Sequence, residues 1–361
     1  MPHDTHHIRT LHAVGSSAPG GAHGATALAL GQPAPITREN YFGASLQSQV
    51  LANTLRYTVK PLLRVWAKWP HLPWPTGAVE LAGSVLPEVP GTRYRPVQLP
   101  HCKAEWVRGQ ETHPHRVMLY LHGGAFLTCG LRTHRRLVSL ISASARTPVL
   151  SVDYRMLPRY TINDSVADGM HAYRWLLRRG YRPEQIVIGG DSAGGYLAFM
   201  VALALRAQGI PVPAGIVGLA PLTNLNPASK MAHSNSKTCA LFSADVINVF
   251  TEYANRVEQR LLIEGAPGPR VCPIDSDLSG LPPTLLQVSS TELLFPDSEM
   301  MAERLAHHGV PCQLQVWDRQ VHVFQAAAGL VPEAARAINE IGRFVQDVVP
   351  VRDGRPARAL A

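Results

Sequence analysis

The stretch IVIGGDSAGGY, residues Ile186 to Tyr196, joins a short apolar run to a helix-like segment through one serine among four glycines. Continuous Val/Ile runs such as IVIG are typical of strands that are buried on both faces, and AGGYLAFMVALAL continues as a helix. Residues 190–194, GDSAG, fit G-x-S-x-G, a sharp turn in which glycines let strand and helix approach closely. The stretch therefore predicts Ser192 as a nucleophile at the tip of the turn. The N–H of Ala193 would face developing negative charge at the helix N-terminus.

The rest of the chain after residue 100 alternates short apolar runs with helix-like segments. The predicted strands are VMLYL (117–121), PVLSV (148–152), IVIG (186–189), GIVGL (215–219), TLLQV (284–288) and QLQVW (313–317). The predicted helices cover residues 168–179, 193–208, 297–308 and 332–345. This order predicts an α/β fold with a mostly parallel central sheet flanked by helices. Ligands of such folds bind at the carboxyl ends of the strands.

The predicted domain boundaries lie where the alternation of strands and helices is interrupted. Residues 1–40 are rich in Gly, Ala, Ser, Pro and His and lack periodicity, so they predict a flexible tail, and residues 351–361 predict a second one. About fifty residues separate the strands on either side of the segment 224–272, which is long for a crossover. We interpret 41–85 and 224–272 as a helical cap. The α/β core would then cover 86–223 and 273–350.

A serine nucleophile needs a base that is oriented by a carboxylate, and both are expected after late strands. His322 follows QLQVW closely, and it is the candidate base. Two carboxylates follow TLLQV and compete for the role of the acid. Glu292 lies in the turn directly after the strand, whereas Asp297 lies beside the next helix and could cap its N-terminus. The pattern favours Glu292 and leaves Asp297 as the alternative.

A second glycine turn follows the strand VMLYL. The sequence there is His122-Gly123-Gly124-Ala125-Phe126. Two glycines just past a strand place bare N–H groups where the oxygen of a tetrahedral intermediate would form. We therefore predict Gly123, Gly124 and Ala193 as oxyanion-hole donors, and whether the N–H of Ala125 joins them stays open.

HGGAF, DYRMLP (153–158), GDSAGG and the segments around Glu292 and His322 together resemble the hormone-sensitive-lipase-like family of α/β-hydrolase esterases, over roughly residues 100–348. The resemblance implies Ser192 as nucleophile, His322 as base and Glu292 as acid, and Asp297 does not align with the acid position. It also implies a helical cap and a preference for short to medium acyl chains. Ala125 departs from the family's usual third glycine.

The function predicted from these residues is serine carboxylester hydrolysis through an acyl-enzyme, with a small ester as substrate and neither cofactor nor metal. The same triad also supports an acyltransferase or an amide hydrolase. A non-catalytic ligand receptor on this fold is a further alternative, but the presence of His322 argues against it.

Charge and composition restrict the partners. The chain of 361 residues has a net charge of +8 but no Lys/Arg block, which argues against nucleic-acid binding. Its five cysteines are scattered without a C-x-x-C pair, so neither a zinc site nor a disulfide framework is expected. No secretory signal or membrane-spanning run is recognisable, which predicts a cytoplasmic protein. A homodimer is compatible with the sequence. A helix rich in Leu, Trp and Lys, residues 55–69, predicts either a weak membrane-surface contact or the lining of the cap pocket.

Overall fold

The computed structural model describes residues 34–85, 87–263 and 271–350, and it is built around a nine-stranded sheet. The strand order is β1-β9-β8-β7-β6-β4-β5-β3-β2. The strands are β1 (Ile36–Tyr41), β2 (Arg93–Gln98), β3 (Lys103–Arg108), β4 (Val117–Leu121), β5 (Val149–Asp153), β6 (Ile186–Asp191), β7 (Gly215–Leu219), β8 (Thr284–Ser289) and β9 (Cys312–Trp317). Pairing is antiparallel only where β3 meets β2 and β5. The predicted mostly parallel sheet is therefore confirmed.

Helices cover both faces of this sheet. The helices of the described residues, including those outside these two layers, are α1 (Leu46–Tyr57), α2 (Val59–Lys68), α3 (Thr76–Ala82), α4 (Leu131–Ser144), α5 (Ile162–Arg178), α6 (Ala193–Ala207), α7 (Ala228–Ala232), α8 (Asn235–Thr238), α9 (Ala244–Ile263), α10 (Phe295–His307) and α11 (Pro332–Val348). Strand β4 shows the two layers, because its alternate residues enter different cores. Met118 and Tyr120 join the core under α4 and α11, and Leu119 and Leu121 join the core under α5, α6 and α10. Both faces of β4 are buried, which explains why its sequence VMLYL is an uninterrupted apolar run.

The N-terminal edge of the sheet corrects one prediction. Residues 36–40 were expected to belong to a tail, but they form most of β1, which pairs in parallel with β9. An edge strand needs backbone partners more than apolar side chains, so its polar sequence ITRENY gave no strand signal. Tyr41 anchors its end by stacking on Trp317, with ring centroids 3.8 Å apart. The predicted tail segments 1–33 and 351–361, with the histidines near the N-terminus, lie outside the described residues.

The two segments predicted to form the cap contact each other. Helix α2 packs on α9, and Trp66 meets Tyr253 edge to face. The ammonium of Lys60 donates to the carbonyl of Cys239 at 2.6 Å. The division into cap and core stays a prediction. Over the described ranges, no helix combines the length and apolar character needed to cross a membrane.

Candidate active site

Ser192 occupies a strained turn between β6 and α6. Its φ of 52° lies in the left-handed region, which a non-glycine residue adopts only when its surroundings hold it there. The backbone of Ser192 is fixed from both sides, since its N–H donates to Leu219 and its carbonyl accepts from Leu222. The glycines make room for this turn, because a Cβ on Gly194 would overlap the carbonyl oxygen of Leu121. The local geometry is that of the predicted elbow.

His322 and Glu292 meet after strands β9 and β8. Nδ1 of His322 lies 2.5 Å from Oε2 of Glu292, and the other carboxylate oxygen accepts the N–H of Ser289 at 2.7 Å. Both side chains are buried. Since Nδ1–H donates to the carboxylate, the lone pair of Nε2 is left as an acceptor. Nε2 of His322 is buried and has no hydrogen-bond partner among the described residues, so it can accept a proton from a bound group.

Asp297 does not reach this histidine. Its carboxylate is fully buried, 2.9 Å from Nζ of Lys230, and it accepts the N–H groups of Thr223 and Asn224 at 3.0 Å each. Burial raises the pKa of Asp297 in spite of these partners. Helix α10 begins at Phe295 and has no side-chain cap, so the capping role expected for Asp297 is wrong. Asp297 instead ties α10 to the segment after β7.

The glycine loop after β4 corrects one predicted oxyanion donor. The N–H of Gly123 donates to Oδ1 of Asp191 at 3.0 Å, so it is not available to a substrate. Gly124 and Ala125 follow with φ values of 120° and 54°, a turn of successive left-handed residues. Within the described chain, neither their N–H groups nor that of Ala193 donates to another residue. The geometry therefore replaces Gly123 by Ala125 as a candidate donor beside Gly124 and Ala193.

Asp191 and its neighbours were not singled out in the sequence. The carboxylate of Asp191 accepts the hydroxyl of Tyr120 at 2.8 Å, and Nε2 of His134 lies 3.2 Å from its second oxygen. Burial alone would lower the pKa of His134, but the charge and hydrogen bond of Asp191 raise it above its ordinary value. Burial opposes ionisation of Asp191 as well, and the charge and hydrogen bond of His134 hold its pKa low. Only the place of Asp191, directly before Ser192, could have signalled this cluster.

His122 completes the surroundings of the loop. Burial lowers its pKa to about 3, with a contribution from the nearby His134, so its ring is neutral. Its Nδ1–H donates to the carbonyl of Gly123 at 2.6 Å, and the hydroxyl of Tyr154 donates to the carbonyl of His122 at 2.7 Å. Both bonds hold the backbone of the loop, so His122 acts on its shape. No group of three or more metal-ligating side chains occurs in the ranges that the structure covers.

Comparison with known proteins places this geometry in a family. Residues 118–326 match a family model described as the alpha/beta hydrolase fold. The chain is 42% identical to esterase LipU of Mycobacterium tuberculosis over 80% of its own length and 98% of that protein. It is 40% identical to the carboxylesterase/phospholipase LipF of the same organism, over 88% of its length and 85% of that protein.

Solved structures agree with these relatives. The esterase EstE5, in crystals soaked with p-nitrophenyl butyrate, superposes with a TM-score of 0.74 at 28% identity, covering 85% of this chain and 100% of that one. An esterase from the bacterial hormone-sensitive lipase family superposes with a TM-score of 0.72 at 30% identity, with the same coverage. Fold and family are therefore shared over most of the chain.

Proposed function

The chain belongs to the hormone-sensitive-lipase-like carboxylesterases of the α/β-hydrolase fold, and we propose that Ser192, His322 and Glu292 carry its hydrolysis of short- to medium-chain acyl esters. The observation that supports these roles best is the buried His322–Glu292 pair. Nδ1 of His322 is held by the Glu292 carboxylate, and Nε2 of His322 is left unpaired. This arrangement orients a general base, which a serine nucleophile requires.

The proposed reaction has two halves. Oγ of Ser192 attacks the ester carbonyl while Nε2 of His322 takes the hydroxyl proton, and Glu292 stabilises the imidazolium. The N–H groups of Gly124, Ala125 and Ala193 stabilise the tetrahedral oxyanion. The imidazolium then protonates the leaving alcohol as the C–O bond breaks, which leaves an acyl-enzyme. Water repeats the sequence, with its proton passing to His322, and releases the carboxylic acid and the free serine.

The segment between β7 and β8 supports a cap over this site. Nδ2 of Asn235 donates to the carbonyls of Ser290 and Glu292 at 2.9 Å each, so α8 braces the turn that holds the acid. The ring of Phe242 packs edge to face on His322 with centroids 5.1 Å apart. An aromatic wall beside the base favours an apolar acyl or alcohol group over a charged one.

The test of the proposed function is hydrolysis of p-nitrophenyl esters with two to sixteen acyl carbons. Wild type should turn over the shorter esters, and Ser192→Ala should lose about a thousandfold or more in kcat. Ser279→Ala, which alters an exposed serine near His308, is the matched control and should keep full activity. Retention of activity in Ser192→Ala would refute the assignment of the nucleophile. An optimum at long acyl chains would refute the proposed chain length.

A membrane-surface contact, also expected from the sequence, is supported by the outer face of α2. Leu62 and Trp69 are 58% and 55% exposed, and Val65 is exposed between them. Leu63 and Trp66 of the same segment are half-buried, and Trp66 packs against the core. Helices α1 and α2 contain no acidic residue, and of their basic residues Arg56, Arg64 and Lys68 are at least partly exposed, whereas Lys60 is buried. An apolar face flanked by cations fits an anionic lipid surface.

Co-sedimentation with vesicles tests this contact without using activity. Binding should be stronger to vesicles with phosphatidylserine than to phosphatidylcholine alone, and Trp69→Ser should weaken it. Leu330→Ser, at a residue that is 77% exposed outside α2, is the control. Equal binding by the two variants and by wild type would contradict the proposal. A homodimer and a cytoplasmic location stay predictions, and light scattering after gel filtration tests the first.

A further inference from the structure

The buried carboxylate of Asp191 connects the nucleophile turn to the oxyanion loop. Asp191 directly precedes Ser192, and its Oδ1 accepts both the Tyr120 hydroxyl at 2.8 Å and the N–H of Gly123 at 3.0 Å. It is only 2% exposed. The peptide after Gly123 supplies the proposed donors Gly124 and Ala125, so a displaced carboxylate would release the loop that places them.

The imidazole of His134 on α4 faces this carboxylate. Nε2 of His134 lies 3.2 Å from Oδ2 of Asp191, and its Nδ1 lies 3.1 Å from Oγ1 of Thr133. Each ring nitrogen of His134 therefore faces an oxygen that can accept a hydrogen bond. Only the imidazolium form donates from both nitrogens at once.

Glu80 of α3 extends this series of contacts on the side of His134 that faces away from Asp191. Its carboxylate accepts the N–H groups of Arg132 and Thr133 at 2.7 and 3.1 Å, and the hydroxyl of Thr133 donates to it at 3.1 Å. Glu80 thus accepts free N–H groups at the N-terminus of α4, and it does so from the segment 41–85, which is predicted to belong to the helical cap. The result is a continuous path from Glu80 through Thr133 and His134 to Asp191.

We propose that His134 is a positioning residue for ester hydrolysis, held between Glu80 and Asp191, and that its positive charge keeps the Asp191 carboxylate in place under the oxyanion loop. This inference rests on the proposed function. It adds a requirement that the triad does not contain, because His134 acts through Asp191 and the loop and has no role in proton transfer.

Electrostatics explains why a charge is needed there. The transition state places a second negative charge on the oxyanion, close to a buried carboxylate, and two like charges in a low dielectric repel each other strongly. A protonated His134 neutralises Asp191, so the loop can use its carboxylate as an anchor without raising the energy of the oxyanion. A neutral residue at position 134 would lose this compensation and hold the Asp191 carboxylate under the loop less firmly.

The pH dependence follows from the surroundings of His134. Besides Asp191, the titratable groups that interact with His134 directly are His122 and Glu80. Further out, Tyr120, Cys129 and Tyr154 interact with Asp191, and Asp153 interacts with Glu80. Asp191 and Glu80 favour the charged imidazole, and burial opposes it. Since the pKa of His134 is raised in the folded protein, its charge is lost as the pH rises through that value. We therefore expect an alkaline decline of kcat.

The experiment compares His134→Gln and Glu80→Gln with wild type on p-nitrophenyl butyrate across the pH range. Glutamine keeps an N–H for Asp191 without the charge. His308→Gln is the matched control, because His308 pairs with Asp277 at 3.0 Å away from the elbow. A second readout is the Ki of a butyl trifluoromethyl ketone, which adds reversibly to the serine and leaves an oxyanion in the hole.

The inference predicts a fall in kcat of about ten- to a hundredfold for His134→Gln, with KM changed by less than about threefold. The Ki of the ketone should rise by the same factor as kcat/KM falls. The alkaline decline should disappear in His134→Gln and move to lower pH by about 0.3 to 1 unit in Glu80→Gln.

Unchanged kcat in His134→Gln with a lower Tm would overturn the inference and leave a structural role. A wild type without an alkaline decline would overturn it as well. If His134→Gln does not fold, the shift in Glu80→Gln decides, since Glu80 lies at the partly exposed side of the path. The proposed function fails differently, with no ester turnover in wild type, and then the pH dependence of ketone binding decides the inference.

Discussion

Replacement of Glu292 and Asp297 by their amides separates the two carboxylates that compete for the acid role. In the structure, the two oxygens of Glu292 are divided between Nδ1 of His322 and the N–H of Ser289. An amide can satisfy both partners only if His322 changes its tautomer, and it cannot stabilise the imidazolium. We expect Glu292→Gln to lower kcat by about 10³- to 10⁴-fold, the size of effect known for serine triads. The fold should be little affected, because the shape of the side chain is kept.

Asp297→Asn should have the opposite signature. The side chains of Asp297 and Lys230 are 0% and 1% exposed, so the amide leaves a buried ammonium without its counter-charge. Removing one partner of such a pair costs about 3–5 kcal/mol of unfolding free energy. The lower end fits here, because Nζ of Lys230 keeps the carbonyls of Asn224 and Asn226 at 2.6 and 3.2 Å. The activity of the folded fraction should stay within about threefold of wild type.

The assay measures kcat with p-nitrophenyl butyrate and thermal unfolding on the same preparations, normalised to titrated active sites. We expect Glu292→Gln to lose rate while its stability is kept, and Asp297→Asn to lose stability while its rate is kept. Loss of kcat in Asp297→Asn at unchanged Tm, with an active Glu292→Gln, would refute the reasoning and exchange the two roles.

Three further predictions concern the glycine-rich turns and the buried ion pair. Gly194→Ala should abolish activity because its Cβ would overlap backbone, whereas Gly77→Ala, with open space around it, should be neutral by kinetics and Tm. Ala125→Gly should keep activity and gain up to about 1 kcal/mol in denaturant unfolding, because it relieves a positive φ. The pair of His134 and Asp191 should stabilise wild type over His134→Gln most at mildly acidic pH, between the ordinary pKa values of aspartate and histidine, about 4 and 6.5. That gain should disappear in Tm series as alkali deprotonates the histidine, whose pKa is raised, and as acid protonates the aspartate, whose pKa is lowered.

The sequence predicts the buried strands well and the outer strands poorly. Strands β4 and β7 match their predicted bounds, since a strand that is covered on both faces must be apolar at every position. Strand β2 is mostly exposed, β3 is exposed at both ends and buried or half-buried between them, and β1 is largely polar. Their place in the sheet depends on backbone pairing with partners such as β9 and β5, which leaves no such local pattern.

The candidate active site could also be predicted from the sequence only where local sequence determines the geometry. The elbow could be predicted because G-x-S-x-G is dictated by steric needs within five residues. The choice among the N–H groups after β4 could not, because it depends on where the side chain of Asp191 points. Because that carboxylate accepts the N–H of Gly123, the proposed oxyanion role moves one residue along, to Gly124 and Ala125.

The structure contains two buried histidine–carboxylate pairs, and the nitrogen that each histidine leaves free of its carboxylate decides what it can do. His322 presents Nδ1 to Glu292, so its outer nitrogen stays unpaired and can accept a proton. His134 presents Nε2 to Asp191, and its remaining nitrogen faces Thr133. A residue with both nitrogens occupied is a poor base but a good fixed charge. The same pair of residue types therefore fits the proposed proton transfer at His322 and the proposed electrostatic anchoring at His134, and ring orientation distinguishes them.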